Sequence, residues 1–313
     1  MLDDLAAMDI PAKTVRPVWI TVEIPRDAVA GNYNATITVS AKKQKKQKFD
    51  ISLEIIDREL PPPSQWPYHI DLWQHPSAIA RTANLEMWSS EHFAAMKPVM
   101  EMIAGTGQKV ITATVNKDPW NVQSYDPYAD MIKWTKTAEG GWEYDYSVFD
   151  LWVEMMLGMG IDRMINCYSI LPWNNELHYT DAKTGEVIDV VADPATPVFE
   201  DMWRPFLTDF KRHLGEKGWL AITNIAMDER SPAAMDAAVK LLGEVAPDLG
   251  IAIQDNHKSY KRYTHVRDLS VGFGSDMDPQ DIADRRSRGL ISTYYICCSD
   301  NFPNVFPFSD PAD

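Results

Sequence analysis

The sequence has little cysteine and no long apolar run. Its 313 residues include three cysteines, Cys167, Cys297 and Cys298. An odd number with an adjacent pair is not typical of a disulfide framework, and neither a C-x-x-C motif nor zinc-ligand spacing occurs. No apolar stretch approaches the roughly 20 residues that a membrane helix needs. We therefore expect no metal site and no membrane span.

Positive charge and glycine-rich turns are also scarce. Lys and Arg number 30 against 45 Asp and Glu, which gives a formal net charge of −15. Such an acidic surface repels phosphate backbones, so we expect no nucleic-acid partner. The glycine-rich first turn of a dinucleotide-binding fold is absent, and we expect no cofactor. Neutral sugars and cationic ligands stay possible.

Apolar and aromatic residues, in contrast, are plentiful. Apolar side chains make up 45% of the chain, and 11 residues are Trp. This composition is sufficient for one large domain and a smaller piece. Tryptophan rings serve equally well in core packing and as flat faces on which sugar rings stack. Carbohydrate binding is therefore compatible with the composition without following from it.

The pattern of the chain changes at a run of prolines. Before it, residues 17–25, 30–41 and 48–57 alternate polar and apolar side chains, which predicts three strands. We interpret residues 1–60 as the C-terminal part of an all-β sandwich domain. Residues 61–66 are a proline-rich linker, because consecutive prolines stiffen the chain and cannot join a ladder.

Residues 67–313 alternate short apolar strands with amphipathic helices, which indicates an α/β fold with a parallel sheet. The predicted strands are 68–75, 110–116, 163–171, 222–229, 250–256, 269–274 and 290–298. The predicted helices are 90–105, 147–159, 198–215, 232–246 and 278–289. Long insertions after the second and third strands favour a (β/α)8 TIM-like barrel. Because we find seven strands, we expect that the eighth is missing and that the chain is shortened at both ends.

The residues best placed for chemistry are Asp228 and Glu229. They end the predicted fourth strand, and Ser231-Pro232 is a good start for the helix that follows. In a barrel, this end of a strand is the catalytic face. Adjacent carboxylates are poorly placed to flank a bond, since retaining glycosidases hold theirs about 5 Å apart. The pair suits a division in which one carboxyl donates a proton and the other holds a group on the substrate.

Other candidate contacts come from strand faces and strand ends. In the predicted first strand, four polar or aromatic residues share one face that we expect to point into the barrel: His69, Asp71, Trp73 and His75. Further candidate substrate contacts are Asn116, Tyr168, Trp173, Asn224, Asp255, Tyr294, Tyr295 and Asn304. Each of these further positions is equally compatible with capping or packing.

Three stretches resemble a known family. HIDLWQHP (69–76), the MDE core (227–229) and the tail 294–313 resemble bacterial β-N-acetylgalactosaminidases of glycoside hydrolase family 123. The stretch 224–229 also resembles the Asp-Glu signature of hexosaminidases. The resemblance extends over most of the chain. It implies a β-sandwich before a (β/α)8 barrel, with barrel sequence that continues past Asp313.

The resemblance also implies a mechanism. Glu229 would be the general acid/base, and the negative Asp228 beside it would favour its protonated form. Asp228 would orient the nitrogen of the substrate's 2-acetamido group. The carbonyl oxygen of that group would attack the anomeric carbon to give an oxazoline, which water opens with overall retention. A tyrosine at this carbonyl is also implied, but the sequence does not say which one.

The expected activity is therefore removal of terminal β-linked N-acetylgalactosamine from an oligosaccharide or glycolipid. Three alternatives stay open: a β-N-acetylglucosaminidase, a retaining glycosidase that pairs Glu229 with Asp71 or Asp255, and a non-catalytic carbohydrate-binding fragment. The first residues lack the features of a secretion signal. From the resemblance, we expect the full-length parent in the periplasm or outside the cell.

Overall fold

The structure is a computed structural model that describes residues 7–275 and 277–296. The chain divides into two compact units, Met1–Pro61 and Pro62–Asp313. The first unit contains an antiparallel hairpin of β1 (Gly31–Val39) and β2 (Gln47–Ile55). Both strands alternate apolar and polar side chains, which explains their extended conformation.

The first of the three strands predicted in this unit is not found, so that prediction is wrong. Residues 17–25 form no regular secondary structure, and Trp19 within them is 79% exposed. An alternating sequence becomes a strand only when a neighbour accepts its backbone hydrogen bonds. In the described part of this unit, only β1 and β2 pair with each other. The sandwich stays a prediction.

The second unit alternates strands and helices, largely as predicted. Its helices are α1 (Pro76–Ala83), α2 (Ser90–Gly105), α3 (Ser147–Gly158), α4 (Pro197–Lys217), α5 (Pro232–Val245) and α6 (Pro279–Ser287). Its strands are β3 (Val110–Thr114), β4 (Lys133–Lys136), β5 (Trp142–Asp145), β6 (Met164–Tyr168), β7 (Glu176–Asp181), β8 (Val187–Val191), β9 (Thr223–Asp228), β10 (Gly250–Gln254), β11 (Asp268–Gly272) and β12 (Ile291–Tyr295). Of these helices, α1 was not predicted.

Six of the strands form a parallel sheet in the order β12-β11-β10-β9-β6-β3. The sheet is curled, as contacts between side chains of distant strands on its inner face show. Asn166 of β6 donates to Asp268 of β11 at 2.9 Å, although β9 and β10 lie between these strands. The predicted α/β class is confirmed as a curled, parallel half-barrel. A complete eight-stranded barrel stays a prediction.

The predicted first strand, 68–75, is wrong as secondary structure. Residues 69–75 lie beside β3 without forming a strand, and side-chain amides supply bonds that a main-chain ladder would make. Leu72 donates its N–H to Gln108 Oε1 at 2.8 Å, and Thr112 donates its N–H to Gln74 Oε1 at 2.7 Å. Both glutamines are 1% exposed. The alternating polar and apolar side chains therefore predicted a segment at the edge of the sheet. They did not predict that glutamine side chains would make its hydrogen bonds.

The insertions after β3 and β6 contain unpredicted strands. They form a second, four-stranded sheet in the order β5-β4-β7-β8. Trp134 of β4 stacks on Phe206 of α4 with ring centroids 4.4 Å apart, so this sheet shares the aromatic core outside the half-barrel. None of the helices within the described ranges is long and apolar enough to cross a membrane.

Candidate active site

Asp228 and Glu229 lie at the C-terminal end of the curled sheet. Asp228 is the last residue of β9, and Glu229 follows with φ +39°, in the left-handed region that non-glycine residues seldom adopt. Its N–H donates to the Gln254 carbonyl of β10 at 3.0 Å. Ser231 then caps α5 by accepting the N–H of Ala234, as predicted. The ladder bond and the cap fix the backbone at the pair.

The pair opens into a cavity of about 760 Å³, within the usual range for ligand pockets. Side chains from several strand ends line it. Besides the pair, the lining residues are His69, Ile70, Asp71, Leu72, Trp73, Gln123, Trp173, Gln254, Asp268, Ser270, Thr293, Tyr294, Tyr295 and Ile296. The walls thus combine aromatic rings, carboxylates and amides.

Asp228 belongs to the floor of this pocket. Its side chain is buried, and its Oδ2 accepts the indole N–H of Trp120 at 2.9 Å. Trp120 packs against Trp73 and Tyr168, with ring centroids 4.7 and 5.0 Å away. Burial, and next the charge of Glu229, raise the pKa of Asp228 to about 6. The Trp120 hydrogen bond opposes this rise because it stabilises the carboxylate.

Glu229 belongs to the exposed rim. Its Oε1 accepts a hydrogen bond from Asn256 Nδ2 at 2.7 Å and a short one from the Tyr295 hydroxyl. Burial, and next the hydrogen bond to Glu229, raise the pKa of Tyr295. Tyr295 therefore keeps its proton at working pH and acts as a donor. Because Tyr295 ends β12 and Glu229 follows β9, the curl of the sheet brings them together.

A deeper polar layer lies below the floor. His69 Nε2 is 3.9 Å from Asp268 Oδ1, and neither ring nitrogen of His69 has a hydrogen-bond partner in the described part of the chain. Burial lowers the pKa of His69. Burial, and next the charge of Asp268, raise the pKa of Asp71 to about 7. This layer gives the cavity an uncharged histidine and a carboxyl that is partly protonated near neutral pH.

Several predicted site residues are brought together here. Those that line the pocket with Asp228 and Glu229 are His69, Asp71, Trp73, Trp173, Tyr294 and Tyr295. Tyr168 is fully buried, and its hydroxyl accepts a hydrogen bond from the pocket residue Gln254 at 3.0 Å. Tyr168 therefore supports the wall of the pocket.

Other predicted contacts are placed elsewhere, with their side chains bound to neighbouring protein groups. His75 caps α1 by accepting the N–H of Ala78. Asn116 exchanges hydrogen bonds with the backbone of His178 at 3.0 and 2.8 Å. These two residues organise the loops around the pocket and do not line it.

The remaining candidates also differ from expectation. Asn224 donates to Asn166 at 2.7 Å, deep inside the sheet, and does not line the pocket. Asp255 accepts the N–H of His257 and the Ser259 hydroxyl, so it shapes the turn after β10. Asn304 lies outside the described residues, as do Cys297 and Cys298.

Sequence reasoning missed three residues of this site, Trp120, Gln254 and Asp268, and it placed Asn256 only at the end of its strand, as a weaker candidate than Asp255. A period-two signal was present after β10, where Gln254 and Asn256 share one side and Asp255 the other. Trp120 gave no such signal, because it lies in an irregular insertion. Asp268 begins its strand and carried no recognisable motif.

The comparisons with known proteins bear on this arrangement. The family model "Glycoside hydrolase 123, catalytic domain" matches residues 73–313, and "Glycoside hydrolase 123 N-terminal domain" matches residues 1–41. The chain belongs to glycoside hydrolase family 123. The resemblance seen in the sequence is thereby confirmed. The catalytic-domain match covers the whole of β9 and both residues of the carboxylate pair.

A solved structure supports the same assignment. It is that of a family 123 glycoside hydrolase from Clostridium perfringens, described in terms of glycolipid glycan hydrolysis. Our chain is 33% identical to the Clostridium perfringens enzyme, and the two structures match with a TM-score of 0.84. The match covers 93% of our chain but only 54% of the Clostridium perfringens chain. The search of curated proteins found no match.

Proposed function

We propose that this chain carries the active site of a glycoside hydrolase that removes terminal β-linked N-acetylgalactosamine by a retaining, substrate-assisted mechanism. The observation that carries the proposal is the contrast between two adjacent carboxylates at one pocket. Asp228 is buried and held by an indole, whereas Glu229 is exposed and held by an amide and a phenol. Different environments are how proteins give neighbouring carboxylates different roles.

Each carboxylate has one task. Glu229, at the rim, gives its proton to the glycosidic oxygen as the bond to the anomeric carbon breaks. Asp228, on the floor, accepts the N–H of the 2-acetamido group and balances the positive charge that develops there. The acetamido oxygen forms the new bond, and water activated by Glu229 opens the oxazoline. Trp73 and Trp173 offer ring faces for the sugar.

The ordinary two-carboxylate mechanism fits this site less well. Asp255 is engaged by the turn after β10 and does not line the pocket. Asp71 does line it, but a pKa of about 7 leaves this carboxyl partly protonated and weak as a nucleophile. The substrate-assisted scheme requires no second carboxylate nucleophile.

The substrate class rests on relatives. The Clostridium perfringens enzyme is described with glycolipid glycans, and the motif resemblance is to β-N-acetylgalactosaminidases. We therefore propose a glycan or glycolipid that ends in N-acetylgalactosamine, and a parent protein that acts outside the cytoplasm. The gluco-configured sugar is the first comparison substrate.

The test is release of an aryl group from β-N-acetylgalactosaminide and from β-N-acetylglucosaminide by the chain, its Glu229→Gln variant and a Glu216→Gln control. Glu216 lies on α4 and pairs with Arg212 at the surface. We expect faster release from the galacto substrate, loss of release only in Glu229→Gln, and inhibition by a thiazoline.

Trapping of the chain by a fluorosugar would instead indicate a carboxylate nucleophile. A preference for the gluco substrate would overturn the substrate assignment. Sugar binding without any release, by a chain that circular dichroism shows to be folded, would identify a binding module and overturn the proposed enzymatic activity.

A further inference from the structure

Glu229 is anchored through one of its two carboxyl oxygens. Oε1 accepts both hydrogen bonds, from Asn256 and from Tyr295. Within residues 7–275 and 277–296, Oε2 makes no hydrogen bond. A carboxyl that is held by one oxygen presents the other to a ligand in a defined direction.

The two anchoring side chains also contact each other. The Tyr295 hydroxyl lies 3.2 Å from Asn256 Oδ1. The three groups therefore form a closed triangle: the amide nitrogen of Asn256 faces Glu229 while its oxygen faces Tyr295. The Tyr295 proton has two acceptors, the carboxylate of Glu229 and the amide oxygen of Asn256. This hydroxyl can turn to Glu229 when that side chain carries a negative charge.

The triangle is assembled from three strand ends. Glu229 follows β9, Asn256 lies two residues beyond β10, and Tyr295 ends β12. At the end of the intervening β11, a side chain on Gly272 would place its Cβ 3.1 Å from Asn256 Oδ1 and 3.6 Å from the Tyr295 hydroxyl. The absence of a side chain at Gly272 leaves room for both groups.

We propose that Asn256 and Tyr295 are positioning residues that fix Glu229 through Oε1, so that Oε2 delivers the proton to the leaving oxygen. The inference rests on the proposed acid/base role of Glu229. When the O–H bond at Oε2 breaks, the proton moves to the glycosidic oxygen and a negative charge appears on the carboxyl. Two donors at Oε1 stabilise that charge.

The test uses leaving groups of different quality. Phenol departs slowly without a proton, whereas dinitrophenol departs readily without one. We would measure kcat/KM against pH for phenyl and dinitrophenyl β-N-acetylgalactosaminides with the chain, Asn256→Ala and Tyr295→Phe. Tyr260→Phe is the matched control, because its hydroxyl bonds to Asp281 on α6 and does not reach Glu229.

We expect both variants to lose about tenfold or more on the phenyl substrate and clearly less on the dinitrophenyl substrate, since general acid assistance contributes about 10²–10⁴-fold in total. The alkaline limb of the pH profile should move to higher pH, because the proton is released less readily without the donors. Tyr260→Phe should change neither the ratio nor the limb. Tyr295→Phe, which removes one oxygen atom, serves if Asn256→Ala fails to fold.

Equal losses on both substrates with an unmoved alkaline limb would overturn the inference and indicate general structural support. No loss in either variant would overturn it as well. Both outcomes leave the proposed function intact if Glu229→Gln is inactive on the phenyl substrate. A chain that matches its Glu229→Gln variant on that substrate would instead overturn the proposed function itself.

Discussion

The floor and the rim of the pocket treat two adjacent carboxylates in opposite ways. On the floor, Asp228 is 8% exposed and is held by a tryptophan that packs in an aromatic cluster. On the rim, Glu229 is exposed and is held by two polar side chains from other strands. Two adjacent residues thus lie in different environments, one buried among aromatic rings and the other exposed among polar side chains.

The largest expected effect comes from removing the proposed proton donor at the rim. Glu229→Gln keeps the shape of the side chain but has no acidic proton. We expect kcat/KM on a phenyl glycoside to fall by about 10²–10⁴-fold, the range for general acid catalysis. The loss on a dinitrophenyl glycoside should be much smaller in the glycosylation step. Equal loss on both would contradict an acid role.

Removal of the charge on the floor should have the next largest effect. Asp228→Asn retains an acceptor oxygen but cannot balance positive charge, and we expect a loss of about 10²–10³-fold, as for other preorganised electrostatic groups. Because the pKa of Asp228 is raised to about 6, wild-type activity should fall as pH decreases through this value. The variant should lack this acid limb. An acid limb that persists near pH 6 would argue against Asp228 as its source.

A subtler change is to remove only the indole donor. Trp120→Phe preserves an aromatic ring but removes a hydrogen bond that stabilises ionised Asp228. We expect the acid limb to move up by about one pH unit, since a hydrogen bond to a charged group contributes about 1.5–3 kcal/mol. Activity at pH 7 should then fall about twofold, because about half of the Asp228 carboxyl would be protonated there. The alkaline limb should stay in place. Movement of the alkaline limb instead would mean that Trp120 affects Glu229 as well as Asp228.

The smallest effect on activity is expected in the polar layer below the floor, where a substitution should change mainly the pH dependence of stability. The pKa of Asp71 is raised from 3.8 to about 7, so between these values the folded state binds more protons than the unfolded state. Stability contributed by this residue therefore falls as pH rises through that window.

Asp71→Asn should lack this dependence. A rise of about three pKa units corresponds to about 4 kcal/mol of pH-dependent stability. We therefore expect the difference in Tm between variant and wild type to increase by roughly 10 °C from pH 4 to pH 8. Thermal unfolding followed by circular dichroism at both pH values measures it. Parallel changes in the two proteins would show that the carboxyl is not perturbed by burial.

The strand that carries the pair was predictable from local sequence. An apolar run ends at Asp228, and Ser231-Pro232 starts a helix immediately afterwards. Both signals depend on residues a few positions apart, and they located the pair at the strand end without knowledge of the rest of the sheet. The same holds for the other five strands of the half-barrel.

The partners of the pair were not predictable in this way. Tyr295 reaches Glu229 only because the sheet curls, and Trp120 reaches Asp228 from an insertion with no periodic pattern. Asp255 was the predicted contact at the end of β10, yet its carboxylate accepts hydrogen bonds from the turn that follows, and it is the amide of Asn256 that reaches Glu229. Residue type indicated chemistry here, whereas tertiary geometry decided which side chain reaches the pocket.

The glutamine contacts beside β3 have a consequence for the identity of the pocket wall. A slip of one residue in the segment 69–75 would exchange the side chains on its two faces and remove His69, Asp71 and Trp73 from their places. Repeating backbone bonds alone do not distinguish one register from the next. Gln74 and Gln108 do, because their amides bond to particular backbone groups: Gln108 accepts the N–H of Leu72, and Gln74 accepts the N–H of Thr112. The two amides thus fix the register of this segment, and the register determines which of its side chains face the pocket.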